Sequence, residues 1–246
     1  MRLPESERAF NRAAFRAMSI SEKADYIFSY YKLPIVLILI AVIAVGSAVH
    51  KAVTSKKAVL YVGYCNVVPA GAADAALTSG YLEHVGADSA DNEVACYREL
   101  YVSTDDSLQN HQYAYASKLK LLASIDGEQL DAVLMNQEAY DLLSGWGYLI
   151  DLEDALAQNG GADAELAAAM VSNTVILSDN RVEVELGEAD AYVAETIEVP
   201  NAIDVSEVAL FEGFSEDEHI YLGIIANTPR MEQALDYLAY VLGASA

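Results

Sequence analysis

A chain of 246 residues that is 54% hydrophobic holds ample apolar material for a core, which excludes an intrinsically disordered protein. The formal charge of -23 is unevenly spread: of 14 Lys+Arg and 37 Asp+Glu, nine basic and four acidic residues precede residue 58, so that part is +5 and the remainder -28. Phosphate binding needs clustered Lys and Arg, so the acidic remainder excludes a nucleic-acid partner, and with no D-x-[DN]-x-[DN]-G loop it reads as a solvated exterior, not a Ca²⁺ site.

Residues 1–32 form a basic leader. Arg8, Arg12 and Arg16 recur every four residues, with Phe10, Ala14 and Met18 on the opposite side. The pattern suits a short amphipathic helix on an anionic inner leaflet and equally an ordinary cytoplasmic helix. Ser19 and Glu22 have the spacing of a capping box that would start a second helix.

That helix is expected to run into the bilayer. From Leu33 to Val49 no residue is charged, Tyr30 and Tyr31 stand at the interface, Lys32 can snorkel, and Pro34 marks an expected kink. Small residues in "VGSAVHKA" resemble a signal-peptidase site, but the 32-residue polar leader is too long for a normal n-region, so residues 33–49 read as a retained signal anchor. Six basic residues precede the span and three follow it closely, which places the N-terminus in the cytoplasm and residues 58–246 outside the cell membrane, beyond a linker at 50–57.

The outer part opens with an apolar strand, 58–67, followed by a helix with Leu77, Tyr81 and Val85 on one face. A second strand is expected at 93–102. A helix from Asp105 to about Ile125 follows, with Leu108, Tyr115, Leu119 and Leu122 at helical spacing, and then a third strand, "AVLMN", at 132–136. Strands alternating with helices predict an α/β fold with a mostly parallel sheet flanked by helices. Beyond a short helix at 162–172, "TVILS", "DN" and "RVEVEL" suggest a hairpin, continued by β structure up to Pro200. An apolar strand at 220–227 and a last helix close the chain. Thr228 and Pro229 cap that helix, and Met231, Leu235, Leu238 and Leu242 form its core face.

Three stretches carry a resemblance. "YASKLKLLASIDGEQLDAVLMNQEAYDLLSGWGYLIDLEDAL" and "YLGIIANTPRMEQALDYLAYVL" resemble one lobe of an extracytoplasmic solute-binding protein, and "SEKADYIFSYYKLPIVLILI" with "AVLYVGYCNV" resembles the anchor and first strand of membrane-tethered proteins of Gram-positive bacteria carrying such a domain. The resemblance implies a final strand running antiparallel to the others. Residues 155–215 are too few for a second α/β lobe and suit a small β-rich insertion. No lipobox cysteine follows the apolar stretch.

Candidate ligand contacts lie beyond the carboxyl ends of the parallel strands. Asn66 follows the first, Ser103 and Thr104 the second, and Asn136, Gln137 and Glu138 the third; Ser103 to Asp105 and Asn136 read more readily as helix caps than as ligand contacts. Trp146, between Gly145 and Gly147, is either a stacking platform or a plug over a helix whose left-handed end falls at Gly145. No G-x-S-x-G, H-E-x-x-H, phosphate loop or C-x-x-C occurs, the four histidines are scattered, and no cofactor or metal is implied. Cys65 and Cys96, offset on neighbouring strands, read as free thiols. The expectation is a non-catalytic binding or sensory module for a small solute; the alternative is an assembly protein of the cell envelope acting through protein contacts.

Overall fold

The computed structural model describes residues 18–20, 33–47, 56–104, 111–161, 164–211 and 219–243. The chain divides between Ser55 and Lys56. In the first unit residues 33–47 are helical, and all but Ile35 are exposed. These fifteen residues fall short of the roughly 20 that span a bilayer, and among the described residues no helix is long and apolar enough to cross a membrane. The basic leader's arginines, Glu22, Tyr30, Tyr31, Lys32 and Val49 lie outside the described residues.

The second unit is built on one six-stranded sheet. Strands β1 (Lys57–Cys65), β2 (Asn92–Leu100) and β3 (Ala132–Asn136) are parallel, with Val62 opposite both Cys96 and Ala132. The near-continuous apolar runs of β1 and β3 are what a sheet covered on both faces requires, whereas the edge strand β2 carries Glu93, Arg98 and Glu99. β6 (Ile220–Ile224) runs antiparallel to β3, from Ala132 opposite Ile224 to Asn136 opposite Ile220. β5 (Ala194–Asp204) joins β6 only through Ile203 and Asp204, and β4 (Met170–Asp179) pairs along β5. The order β2-β1-β3-β6-β5-β4 is therefore mixed. Only the β1 pairings are parallel, because the chain returns from 155–215 in the reverse direction and brings a hairpin with it; "mostly parallel" holds for one half of the sheet. The hairpin extends this sheet, and the described residues form no second lobe.

Helices cover both faces. On one lie α1, a run of three segments (Gly71–Ala75, the π-helical Ala76–Gly80 and Tyr81–His84), α4 (Leu152–Gln158), α5 (Ala164–Ala169) and α7 (Met231–Gly243), packed on Leu60, Val62, Tyr64, Leu134 and Leu222. On the other lie α2 (His111–Asp126) and α3 (Gln137–Gly145), packed on Cys65, Val133, Met135 and Tyr221. Successive strand residues thus feed opposite cores, and each fully buried large side chain contributes about 1.5–3 kcal/mol. Gly223 leaves room where β6 is crossed: a Cβ there would stand 3.1 Å from Leu149 and 3.2 Å from the Asn201 carbonyl.

Several local expectations are corrected. Val85 is exposed, because α1 ends at His84. In α2 the buried face is Ser117, Leu121, Ser124 and Ile125, whereas Tyr115 and Leu119 are 63% and 49% exposed and Leu108 lies outside the described residues. The small Ser117 turns inward because its hydroxyl accepts the Tyr101 N–H left unpaired where β2 ends. Residues 181–185 form a short helix, α6 (Arg181–Glu185), instead of a strand. There the Asn180 side chain bonds both the Val193 N–H and the Ala191 carbonyl, closing a long loop, so the partner of β4 is β5. α5 ends at Ala169, and β4 takes the next residues. α7 starts at Met231, two residues later than a Thr228 cap implies, although the Thr228 hydroxyl accepts the Arg230 N–H.

Candidate functional site

β1 leads into α1 on one face, and its neighbour β3 leads into α3 on the other. Connections that part in this way open a crevice beyond the carboxyl ends of the two strands. A hollow of about 680 Å³ lies there, lined by Thr104, Asn136, Gln137, Glu138, Asp141, Leu142 and His219. A second hollow of about 340 Å³ shares Asn136 and Glu138 with it and is walled by Asn66, Val67, Val68, Glu99, Leu100, Tyr101 and Tyr113. The two form one open groove with Glu138 at the join.

Glu138 sits in the first turn of α3, whose N-cap is Asn136; the Asn136 Oδ1 accepts the Ala139 N–H at 3.1 Å. From there one Glu138 oxygen, Oε1, takes three donors: the Ser103 hydroxyl at 2.9 Å, the Thr104 N–H at 2.8 Å and the Thr104 hydroxyl at 3.2 Å. The residues after β2 thus make an anion-receiving turn, and the anion in it is a side chain of the protein. Glu138 itself lines both hollows.

Asn66 holds the other wall. It adopts φ 59°, a left-handed conformation that Asn tolerates, and its side chain donates to the Val102 carbonyl at 2.8 Å while accepting the Val102 N–H at 2.9 Å. Gln137 donates to Asp141 at 2.7 Å and accepts from the Tyr221 hydroxyl. Asp141 also receives Asn173 at 2.8 Å. Burial, then the nearby Asp204 and Asp141 carboxylates, raise the Tyr221 phenol, which stays protonated as the donor.

His219 reaches the rim from the residue before β6. Its Nδ1 lies 3.0 Å from Asp204, and its ring stacks on Tyr221 with centroids 6.1 Å apart. Burial pushes Asp204 upward, but hydrogen bonds from Ser206 and His219 outweigh it and hold the carboxyl below its usual range. Here the carboxylate stands between serine and imidazole. Nucleophilic catalysis needs the imidazole in the middle, so this arrangement activates no nucleophile. Among the described residues no group of three His, Cys, Asp or Glu side chains could hold a metal ion.

Of the residues singled out from the sequence, Asn66, Thr104, Asn136 and Gln137 line the groove. Ser103 stands behind it, orienting Glu138. Trp146 does not reach it. α3 ends in a Schellman motif, in which Gly147 at φ 70° donates to Ser144 and Tyr148 donates to Leu143; Gly147, not Gly145, is the left-handed residue and Trp146 is the C-cap. The indole lies at the far end of this nine-residue helix, half-buried against the core, with the Lys118 ammonium 4.5 Å from its ring. It is a plug. Glu138, read from the sequence with Asn136 and Gln137 at the end of the third strand, lines both hollows. His219, which reads from the sequence as a loop residue, reaches the groove because β6 pairs with β3. Asp141 and the Tyr101–Tyr113 pair, 6.1 Å between centroids, escaped the sequence reading.

The opposite end of the sheet is sealed. Asp131, fully buried, accepts the Tyr61 N–H at 2.7 Å, the Thr228 hydroxyl at 2.6 Å and Arg230 Nε at 2.8 Å, and the Arg230 guanidinium covers the Tyr61 ring at 4.6 Å. Beside it Asn227 donates to the Ile125 carbonyl at 2.8 Å.

Comparison with known protein families, characterised proteins and solved structures finds no match.

Proposed function

We propose that the chain is a membrane-anchored, extracytoplasmic, non-catalytic binding or sensory module, similar to one lobe of a solute-binding protein, whose groove takes a small cationic or polar neutral solute. The observation that carries this reading is the groove at the parting of β1 and β3, with the Glu138 carboxylate lining both of its hollows. Among the described residues no Lys or Arg lines either hollow, whereas Glu99, Glu138 and Asp141 do, and residues 58–246 carry a net -28, so an anionic solute meets repulsion. Tyr101 and Tyr113 offer ring faces that favour an amine or quaternary ammonium.

The anchor rests on the uncharged run 33–49 and on a helix that is apolar all round and exposed over residues 33–47. Fusing alkaline phosphatase or a cytoplasmically fluorescent reporter after Ala246 tests it: only the phosphatase should be active, and the reverse pattern contradicts the orientation. For the groove, thermal-shift screening of the full chain against amines, amino acids, sugars and carboxylates should yield a shift with a cationic or neutral solute. A shift with carboxylates alone contradicts the reading. A second reading, an envelope-assembly role through protein contacts, is favoured by the β4–β5 hairpin.

A further inference from the structure

The β4–β5 hairpin rests on α3 at its base, where Asn173 reaches Asp141, and runs out toward an exposed tip. Not one residue from 170 to 200 is buried. β5 leaves β6 after two pairs, while β4 and β5 stay paired from Met170–Ile203 out to Asp179–Ala194. At about 3.3 Å per residue the ribbon projects roughly 25 Å beyond the sheet. An isolated two-stranded ribbon in water is at best marginally stable, yet this one exposes Leu177, Val182, Leu186, Tyr192, Val193 and Ile197, each 45 to 68% accessible.

β4 is also the last strand of the sheet. At the base of the arm α3 covers its open backbone: the Tyr140 hydroxyl donates to the Val171 carbonyl and the Ser144 hydroxyl to the Thr174 carbonyl. Past Thr174, among the described residues, nothing outside the hairpin bonds to the β4 backbone. Its sequence from 170 to 178, "MVSNTVILS", has no charge, proline or glycine to keep an edge strand from pairing, and its one irregularity past Thr174 is a register shift between Ile176 and Ser178 that leaves Leu177 exposed. Such an edge accepts an added strand.

Charge selects what adds. Residues 170–200 hold seven carboxylates (Asp179, Glu183, Glu185, Glu188, Asp190, Glu195, Glu198) and one cation, Arg181. A second copy would set two such arms against each other, and an anionic membrane surface would repel the tip. We propose that the arm is a docking strand for a partner protein, which adds an extended segment of alternating apolar and Lys/Arg residues along β4 beyond Thr174. Apolar side chains of that segment cover Leu177 and Ile197, and its cations face the acidic tip. This inference names the partner chemistry for the protein-contact reading and rests on that reading, while being independent of the groove.

In-cell photo-cross-linking tests it, with p-benzoyl-phenylalanine replacing Leu177 in the full chain. The expected result is an adduct to one other protein through a segment rich in Lys, Arg and apolar residues. Its yield should fall about tenfold when Glu183→Lys, Glu188→Lys and Asp190→Lys are combined, because like charges at an interface rim suppress association. These positions are exposed, and an unchanged melting curve of the triple variant confirms that folding is intact. An adduct to a second copy or to lipid overturns the proposal. So does an adduct to another protein that ignores the charge reversal, although the protein-contact reading survives that outcome. No adduct at all overturns both.

Discussion

β3 has a carboxylate at each end, and the two live in opposite circumstances. Asp131, just before the strand, has both oxygens consumed by a backbone N–H, a hydroxyl and a guanidinium, with no exposure to solvent. Glu138, just after it, has one oxygen held by three donors and borders two hollows. The residue types are equivalent and the strand is the same; what differs is remaining bonding capacity. A saturated carboxylate joins β1, β3 and α7 into one body. A half-saturated one is oriented at no cost to a ligand, which is what a binding group needs.

The comparison breaks most visibly at Asp131. Asp131→Ala leaves the Arg230 charge and two other donors without their acceptor, and loss of one partner of a buried pair costs about 3–5 kcal/mol. Urea denaturation should show that loss, against less than about 1 kcal/mol for Glu138→Ala, whose bonds to Thr104 are exposed. Equal losses would erase the distinction between the two ends. Next in size is Asn201→Ala. Asn201 is buried between the Tyr140 hydroxyl at 2.8 Å and the Ser144 hydroxyl at 2.8 Å, so it ties α3 to the base of the arm. Each hydroxyl keeps a carbonyl acceptor, on Val171 and Thr174, so losing one buried bond apiece costs about 1–3 kcal/mol in all. Hydrogen exchange should then quicken in β4 and β5 before β1.

Trp146→Ala comes third. The half-buried indole covers the end of α3, so its removal should cost about 1–2 kcal/mol by lost apolar area while leaving solute binding unchanged. A binding defect there would reinstate the stacking role.

The parallel half of the sheet was legible from residue order alone. "AVLMN" followed by a polar tip is strand β3 and its cap, and 58–67 with 93–102 differ from β1 and β2 only at their ends. The antiparallel half was not. "RVEVEL" alternates as a strand does, yet the Asn180 side chain closes the chain on Val193 and Ala191, fourteen residues from 180 to 193, and turns that stretch into α6. Local pattern cannot report a bond that the loop itself makes possible. The same holds for α2, where two apolar stripes compete and a backbone N–H, by recruiting Ser117, decides which one faces in. At the groove the carboxyl-end rule found Asn66, Thr104, Asn136 and Gln137, but His219 arrives only through strand pairing some 80 residues away from Asn136, visible as Asn136 opposite Ile220.

The effect on pH dependence is confined to alkaline solution. Burial, with the Glu138 charge beyond it, pushes the Cys65 thiol up to about 12. A raised thiol contributes stability that is fully present below the unfolded value near 8.5 and is lost as pH climbs toward 12. Unfolding midpoints should therefore fall across that window, and thiol reagents should reach half-buried Cys96 before Cys65. Faster labelling of Cys65 would place it in contact with the groove solvent.

The central claim is that the carboxyl end of the sheet binds and the other end only holds. Isothermal titration calorimetry of a screened cationic or neutral solute into the full chain and into Glu138→Gln measures this directly. The account predicts a one-site isotherm for the natural chain and at least a tenfold weaker one for Glu138→Gln, equivalent to about 1.4 kcal/mol, with both proteins unfolding at nearly the same urea concentration. Identical isotherms for the two chains would contradict it.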